Sequence, residues 1–155
     1  MPAPVPPLRI SITDQQERYP PDFQKLRDTA RTVLEGEGVK KAKINVVLLT
    51  DSHIHDINRR FLQHDEPTDV ITFPLSNPGA ATLEAEILIS TDTAHAAAAE
   101  RGHDMESEIL LYLVHGLLHL CGHDDHAPKD RKRMRERERH YLKAMGVQLK
   151  GGEDW

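Results

Sequence analysis

The run His115-Gly-Leu-Leu-His119-Leu-Cys-Gly122-His123-Asp124-Asp125-His126 holds four histidines and two aspartates in twelve residues. On a helix, His115 and His119 stand one turn apart on the same face. Two neutral imidazoles on an apolar helix cost burial free energy unless each is bonded. A shared divalent metal meets that need, because each ring gives one nitrogen to the ion and donates its other N–H outward. Gly122 permits a sharp turn, which would bring a third donor from residues 123–126 back over the helix. Three protein ligands leave one coordination position for water, as in catalytic rather than structural zinc sites. The competing assignment is a pair of core histidines bonded to carbonyls. The glycine three residues on, and the His and Asp side chains after it, favour the metal.

The ligands need a rigid carrier. A helix is expected over Met105–Cys121, capped by Asp104 and ended by Gly122. Ile109, Leu110, Leu113, Val114, Leu117, Leu118 and Leu120 wrap most of its circumference, so it should be the central buried helix. A last helix, Lys129–Met145, turns Met134, Tyr141 and Met145 inward, with Glu138 on the same stripe. Glu138 is placed there either to hold a ligand imidazole from behind or to reach solvent. Strands are expected at Leu8–Thr13, Ile44–Leu49, Thr68–Leu75 (Pro74 marking its end or an exposed edge) and Glu86–Ser90. Further helices are expected from Phe23 to Leu34, stopped by Gly36 and Gly38; after a cap at Asp51 or Ser52, with Ile54, Ile57 and Phe61 inward; and after a cap at Thr91, ending near Gly102. Residues 1–7 read as a loose Pro-rich arm and 150–155 as a tail. The fold class is a single α+β domain over 1–155, with a small, mostly parallel or mixed sheet of about four strands and helices packed on it.

Composition narrows the function. The chain has 155 residues, 38% hydrophobic and 29% charged, as in a globular domain. Cys121 is its one cysteine, so no intrachain disulfide forms and a reducing compartment is expected. It reads as a small core residue. The start has neither a basic nor an apolar stretch of the signal-peptide kind, and no apolar run approaches a membrane span. A cytoplasmic protein with no membrane partner is expected. Twenty Lys and Arg against 25 Asp and Glu give a net charge of −5, which excludes a uniformly basic nucleic-acid binder. Residues 126–150 nevertheless carry nine Lys/Arg and three Asp/Glu, a local +6 on an acidic body. Arg131, Arg133, Arg135, Arg137 and Arg139 are placed either to contact RNA phosphates or to pair with Glu136 and Glu138. His53, His55, His95, His103 and His140 lack ligand spacing and read as surface or packing residues; His64 reads as an exposed loop residue. Thr68 and Asp69 either line a cleft or cap a turn.

The His-rich segment is similar to the metzincin pattern H-E-x-x-H-x-x-G-x-x-H, but Gly116 stands where those peptidases carry their glutamate base. Nothing else on that turn takes a proton, so a peptidase is not expected. H-G-L-L-H-L-C-G-H-D more closely resembles the H-G-x-L-H-L-x-G-[YH]-D segment of the YbeY family. Ile57-Asn58 through Thr68-Asp69-Val70-Ile71-Thr72-Phe73-Pro74 resembles that family's L-N-x-x-[YF]…T-D-V-L-S-F-P. Glu84-Ala85-Glu86-Ile87-Leu88-Ile89-Ser90 resembles its G-D-I-x-I-S strand, and Met134…Glu138 its M-x-x-x-E. The resemblance runs in register from about Ile44 to Met145.

The resemblance implies a metal-dependent, single-strand-specific endoribonuclease of ribosomal RNA maturation and ribosome quality control. Its partners would be single-stranded RNA, small-subunit ribosomal RNA and the ribosome. It implies His115 and His119 as ligands and puts the third at Asp125, ten residues after the first, where the family usually has histidine. His126 and then His123 are the alternatives. Two imidazoles and a carboxylate suit zinc, though iron and nickel accept the same set. The family often has an arginine after the aromatic of L-N-x-x-[YF]; Leu62 stands there, and Arg59 or Arg60 would have to substitute. A ribosome-bound factor that holds metal without turnover is the second reading, and Leu62 is the feature that favours it.

Overall fold

The computed structural model describes residues 7–57, 70–77, 79–123 and 126–147. The expectations at Asn58, Arg59, Arg60, Phe61, Leu62, His64, Thr68, Asp69 and Asp125, at the arm 1–6 and at the tail 150–155 lie outside the described residues. The elements run β1 (Leu8–Asp14), α1 (Phe23–Gly36), β2 (Ala42–Leu49), α2 (Asp51–Ile57), β3 (Val70–Pro74), β4 (Leu83–Ser90), α3 (Thr91–Arg101), α4 (Met105–Leu120) and α5 (Pro128–Ala144). They build one mixed sheet in the order β1-β2-β4-β3. β1 and β4 pair parallel to β2, while β3 runs antiparallel to β4 at the edge. Pro74, which cannot donate to a ladder, closes that edge strand.

The continuous apolar run of β2 follows from cover on both faces. Ile44, Val46 and Leu48 join Ala85, Ile87 and Ile89 of β4 in the core beneath the helices. Val47 and Leu49 point the other way and meet Ile71, Leu88 and Ile54 of α2. The seven-residue α2 covers only that end of the second face. Toward the other end the same face is polar, and Asn45 Oδ1 accepts from Ser11 Oγ at 3.0 Å and Thr13 Oγ1 at 3.1 Å.

The helices start and stop close to where the sequence places them, with three local corrections. Ser90, not Thr91, caps α3, its hydroxyl accepting from Thr93 N at 3.0 Å. Leu49 lies opposite Ser90 in the sheet, which leaves Thr91 Oγ1 to donate to Leu49 O. Thr50, rather than Asp51 or Ser52, accepts from His53 N at the start of α2. Asp51 instead accepts from the Ser90 and Thr93 hydroxyls and ties α2 to α3. Gly38, with φ +79°, ends α1, whereas Gly36 lies within it. A Cβ at Gly36 would sit 2.5–2.9 Å from the Tyr141 ring and hydroxyl, so its role is the close approach of α1 to α5.

Within α4, Glu108 is fully buried, and its oxygens are satisfied there: Arg101 donates to both at 2.9 and 3.2 Å, and His103 closes on Oε1. That cluster locks the α3–α4 turn and occupies His103 in packing. Tyr141 is 2% exposed and fixed by hydrogen bonds, so its ring yields little to an added methyl. Gly36→Ala is expected to destabilise the protein by about 1–3 kcal/mol, the usual cost of overpacking. Denaturant unfolding measures this, and an unchanged midpoint would refute the packing argument.

Candidate metal centre

α4 begins with Asp104 Oδ1 accepting from Ser107 N at 2.8 Å and ends in a Schellman turn. There Gly122 N donates to His119 O and His123 N to Leu118 O, with Gly122 at φ +100°. The chain therefore reverses directly after the second histidine of the pair. His115 is partly exposed and His119 exposed, so the last turn of an otherwise buried helix opens to solvent where the histidines sit.

Behind His115 stands α5. Glu138 Oε1 accepts from His115 Nδ1 at 2.8 Å, with 3% of the carboxylate side chain exposed. A proton on Nδ1 makes Nε2 the lone-pair nitrogen, the form in which an imidazole ligates a metal. Met134, Glu138 and Tyr141 form the inner stripe of α5. Among the described residues no three His, Cys, Asp or Glu side chains are gathered as a ligand set. The described residues do carry the His115/His119 pair and its buried carboxylate, and that donor chemistry suits a divalent cation.

Gly116 faces the sheet. A Cβ there would meet Thr72 at 3.2 Å, Ile87 at 3.3 Å and Val70 at 3.4 Å. The position at which metzincins carry their base is thus crowded by β3 and β4, which would have to give way for a longer side chain. Glu86, on the family's acidic strand position, lies on the opposite sheet face beside Ser11, Thr13 and Asn45 and cannot serve the pair.

A second network adjoins the first. Glu37, just after α1, accepts from His123 Nε2 through Oε1 and from Arg137 Nη2 and Tyr141 Oη through Oε2, each at 2.5 Å. Arg137 also donates to Tyr141 Oη at 2.8 Å and lies over its ring. Burial alone would push the Glu37 carboxyl up, but the hydrogen bonds from Arg137, Tyr141 and His123 outweigh it and hold the group at about 2. Burial, then the Glu37 hydrogen bond, pushes the Tyr141 phenol up to about 12. Burial and the Glu37 charge push the Cys121 thiol up to about 11, which leaves it inert.

The structure thus brings His115 and Glu138 into contact and turns His123 Nε2 toward Glu37. His126 is exposed, as are Arg131, Arg133 and Arg139, while Arg135 is partly buried. Arg137, one of five arginines offered to RNA phosphate by the sequence, is instead committed to Glu37 and Tyr141. Glu37 itself escaped the sequence. Its only local signal is a position between two glycines, and its partners lie 86 to 104 residues away.

The fold and the site define a class of small α+β proteins whose central helix ends in a His-x-x-x-His pair backed by a buried carboxylate. Residues 11–146 match the family described as Endoribonuclease YbeY. The Endoribonuclease YbeY of Rhodopirellula baltica is 42% identical over 134 residues, covering 79% of this chain and 68% of that protein. That of Anaeromyxobacter dehalogenans is 38% identical over 125 residues, covering 80% and 65%. That of Chlorobium phaeovibrioides is 36% identical over 147 residues, covering 95% and 97%. This chain spans about two-thirds of the first two relatives and nearly all of the third. A Thermotoga maritima protein solved in solution superposes with a TM-score of 0.65 at 27% identity, over 89% of this chain and 88% of that one. The chain belongs to the YbeY family of endoribonucleases.

Two predictions follow from the packing and charge of this region. Gly116→Glu, which recreates the peptidase pattern, is expected to yield no peptide hydrolysis. It should also lower stability by at least the about 1–3 kcal/mol of an overpacked core. A stable variant that cleaves peptides would refute the packing account. Glu37 has its folded pKa below its ordinary value of 4.5, so its contribution to stability is complete above that pH and fades as pH falls toward about 2. The stability gap between the wild type and Glu37→Gln should therefore narrow across that acid window; a gap independent of pH would contradict it.

Proposed function

We propose that this chain, as one metallohydrolase domain over 1–155, is a cytoplasmic metal-dependent endoribonuclease that cuts single-stranded RNA. Its place is ribosomal RNA maturation and ribosome quality control, with small-subunit ribosomal RNA and the ribosome as partners. The observation that carries the reading is the 2.8 Å bond from His115 Nδ1 to the buried Glu138, in a chain of this family. No helix among the described residues is long and apolar enough to cross a membrane.

His115 and His119 would hold one divalent cation, most simply Zn2+, together with Asp125. His126 is the alternative third ligand. His123 ranks last, because its Nε2 faces Glu37. When bound, the cation supplies Lewis acidity toward a phosphoryl oxygen and lowers the pKa of a water. Glu138 keeps the His115 ring in one tautomer and orientation and raises its basicity as a ligand. Arg59 or Arg60 would take the part of the arginine that Leu62 replaces, stabilising charge on the phosphate. Arg131 and Arg135, in the segment of net charge +6, would hold the RNA backbone. Family membership does not favour the reading of a non-catalytic binding factor, which rests on Leu62 alone.

His119→Ala tests the assignment. The wild type is expected to carry about one equivalent of metal and to cleave single-stranded RNA. The variant should remain folded, lose the metal and lose at least about 100-fold in rate, since the cation supplies several kcal/mol of charge stabilisation. Undiminished RNA cleavage by the metal-free variant would overturn the mechanism. Stoichiometric metal without cleavage by the wild type would instead favour the binding factor.

A further inference from the structure

We infer that Glu37 is a positioning residue for the metal centre: one carboxylate after α1 ties down both ends of the segment that joins α4 to α5. The inference rests on the metal-dependent reading above and adds to it a residue that touches neither substrate nor ion. At one end of the segment, His123 follows the Schellman glycine and gives its Nε2 to Glu37 Oε1. At the other, α5 is held through Arg137 and Tyr141, which share Glu37 Oε2. The Glu37 side chain is 9% exposed, so these contacts exchange little with water. Gly36 completes the arrangement, since a Cβ there would push Tyr141 off the carboxylate.

Residues 124–127 alone separate His123 from Pro128, the first residue of α5. The Glu37 contacts therefore hold the turn that ends α4 against the helix that follows it. The same clamp sets the register of α5, where Arg137 and Glu138 are neighbours in sequence: one binds Glu37 and the other His115. Releasing Glu37 would loosen α5 and with it the Glu138 carboxylate behind His115. The ion would then have to order the His115 ring itself, and its affinity falls.

The test is titration of zinc and cobalt into the metal-free full chain, for the wild type, Glu37→Gln and Glu37→Ala. Folding is checked by circular dichroism at the titration temperature. Glu37→Ala is expected to bind at least about tenfold more weakly, the scale seen when residues supporting metal ligands are removed. Its visible cobalt bands should change, and Glu37→Gln, which keeps the shape and part of the hydrogen bonding, should fall between. A role in packing alone would lower the thermal midpoint and leave affinity and cobalt spectrum at wild-type values; that result overturns the inference. If Glu37→Ala does not fold, Glu37→Gln decides by the same two readouts. A wild type that binds no metal refutes the metal-dependent reading, and this inference with it, a result distinct from intact binding in the variants.

Discussion

Glu138 is a carboxylate with 3% of its side chain exposed, and such a group is tolerated only where donors replace the water it lost. His115 Nδ1 is the donor the structure supplies, and the site is built around keeping the two together. α5 must lie on α4 in one register, and α4 must present His115 toward α5 rather than toward the sheet. Gly116 settles the rotation of α4 by sitting flat against Thr72, Ile87 and Val70. At 3.6 residues per turn, His115 and His119 then lie about 100° and 60° round the same side of the helix from Gly116. Both imidazoles therefore share the flank beside α5. The register of α5 is set from outside the site, by Tyr141 against Gly36 and by Arg137 on Glu37.

The sequence made most of the fold readable because burial writes itself into periodicity. β2 is apolar without alternation where both faces are covered, and α4 is apolar nearly all round where it is enclosed. The His115/His119 spacing and the position of Glu138 on the Met134–Tyr141 stripe were equally plain, since helical neighbours follow from counting. What could not be read are contacts that counting does not reach. Glu37 looks like the end of a helix, and nothing near it points to residues 123, 137 and 141. Arg137 is one of five arginines at every second position, and only the approach of α1 singles it out. Ser90 and Thr91 are adjacent hydroxyls, either fit to cap α3, until strand pairing assigns Thr91 to Leu49. The choice of the proposed third ligand has the same character: Asp125, His126 and His123 follow one glycine closely, and spacing alone does not choose among them.

Gly116 carries a wider consequence. A resemblance to the metzincin helix that fails at one residue invites comparison with a peptidase that lost its base. The packing says otherwise, because even a Cβ there would stand only 3.2–3.4 Å from side chains of β3 and β4, and a longer side chain needs the helix and sheet to move apart. Closeness to the sheet is what seats the histidine pair. A base on that turn would demand a different separation of helix and sheet, and so a different site.

The same accounting limits where proton transfer can occur. Glu138 is committed to His115 and is too buried to reach a substrate hydroxyl. Glu37 carries three donors and stays ionised down to about pH 2, so it is a poor proton carrier near neutrality. The Cys121 thiol at about 11 and the Tyr141 phenol at about 12 are both held in their protonated forms. Glu86 faces the far side of the sheet. Each of these groups is removed from acid–base work by a contact that instead fixes geometry. Among the described residues, then, the contacts hold the His115 imidazole in place rather than move protons. That division suits phosphoryl chemistry, where positioning and charge stabilisation dominate, better than peptide hydrolysis, where a protein base is the working part of the H-E-x-x-H pattern.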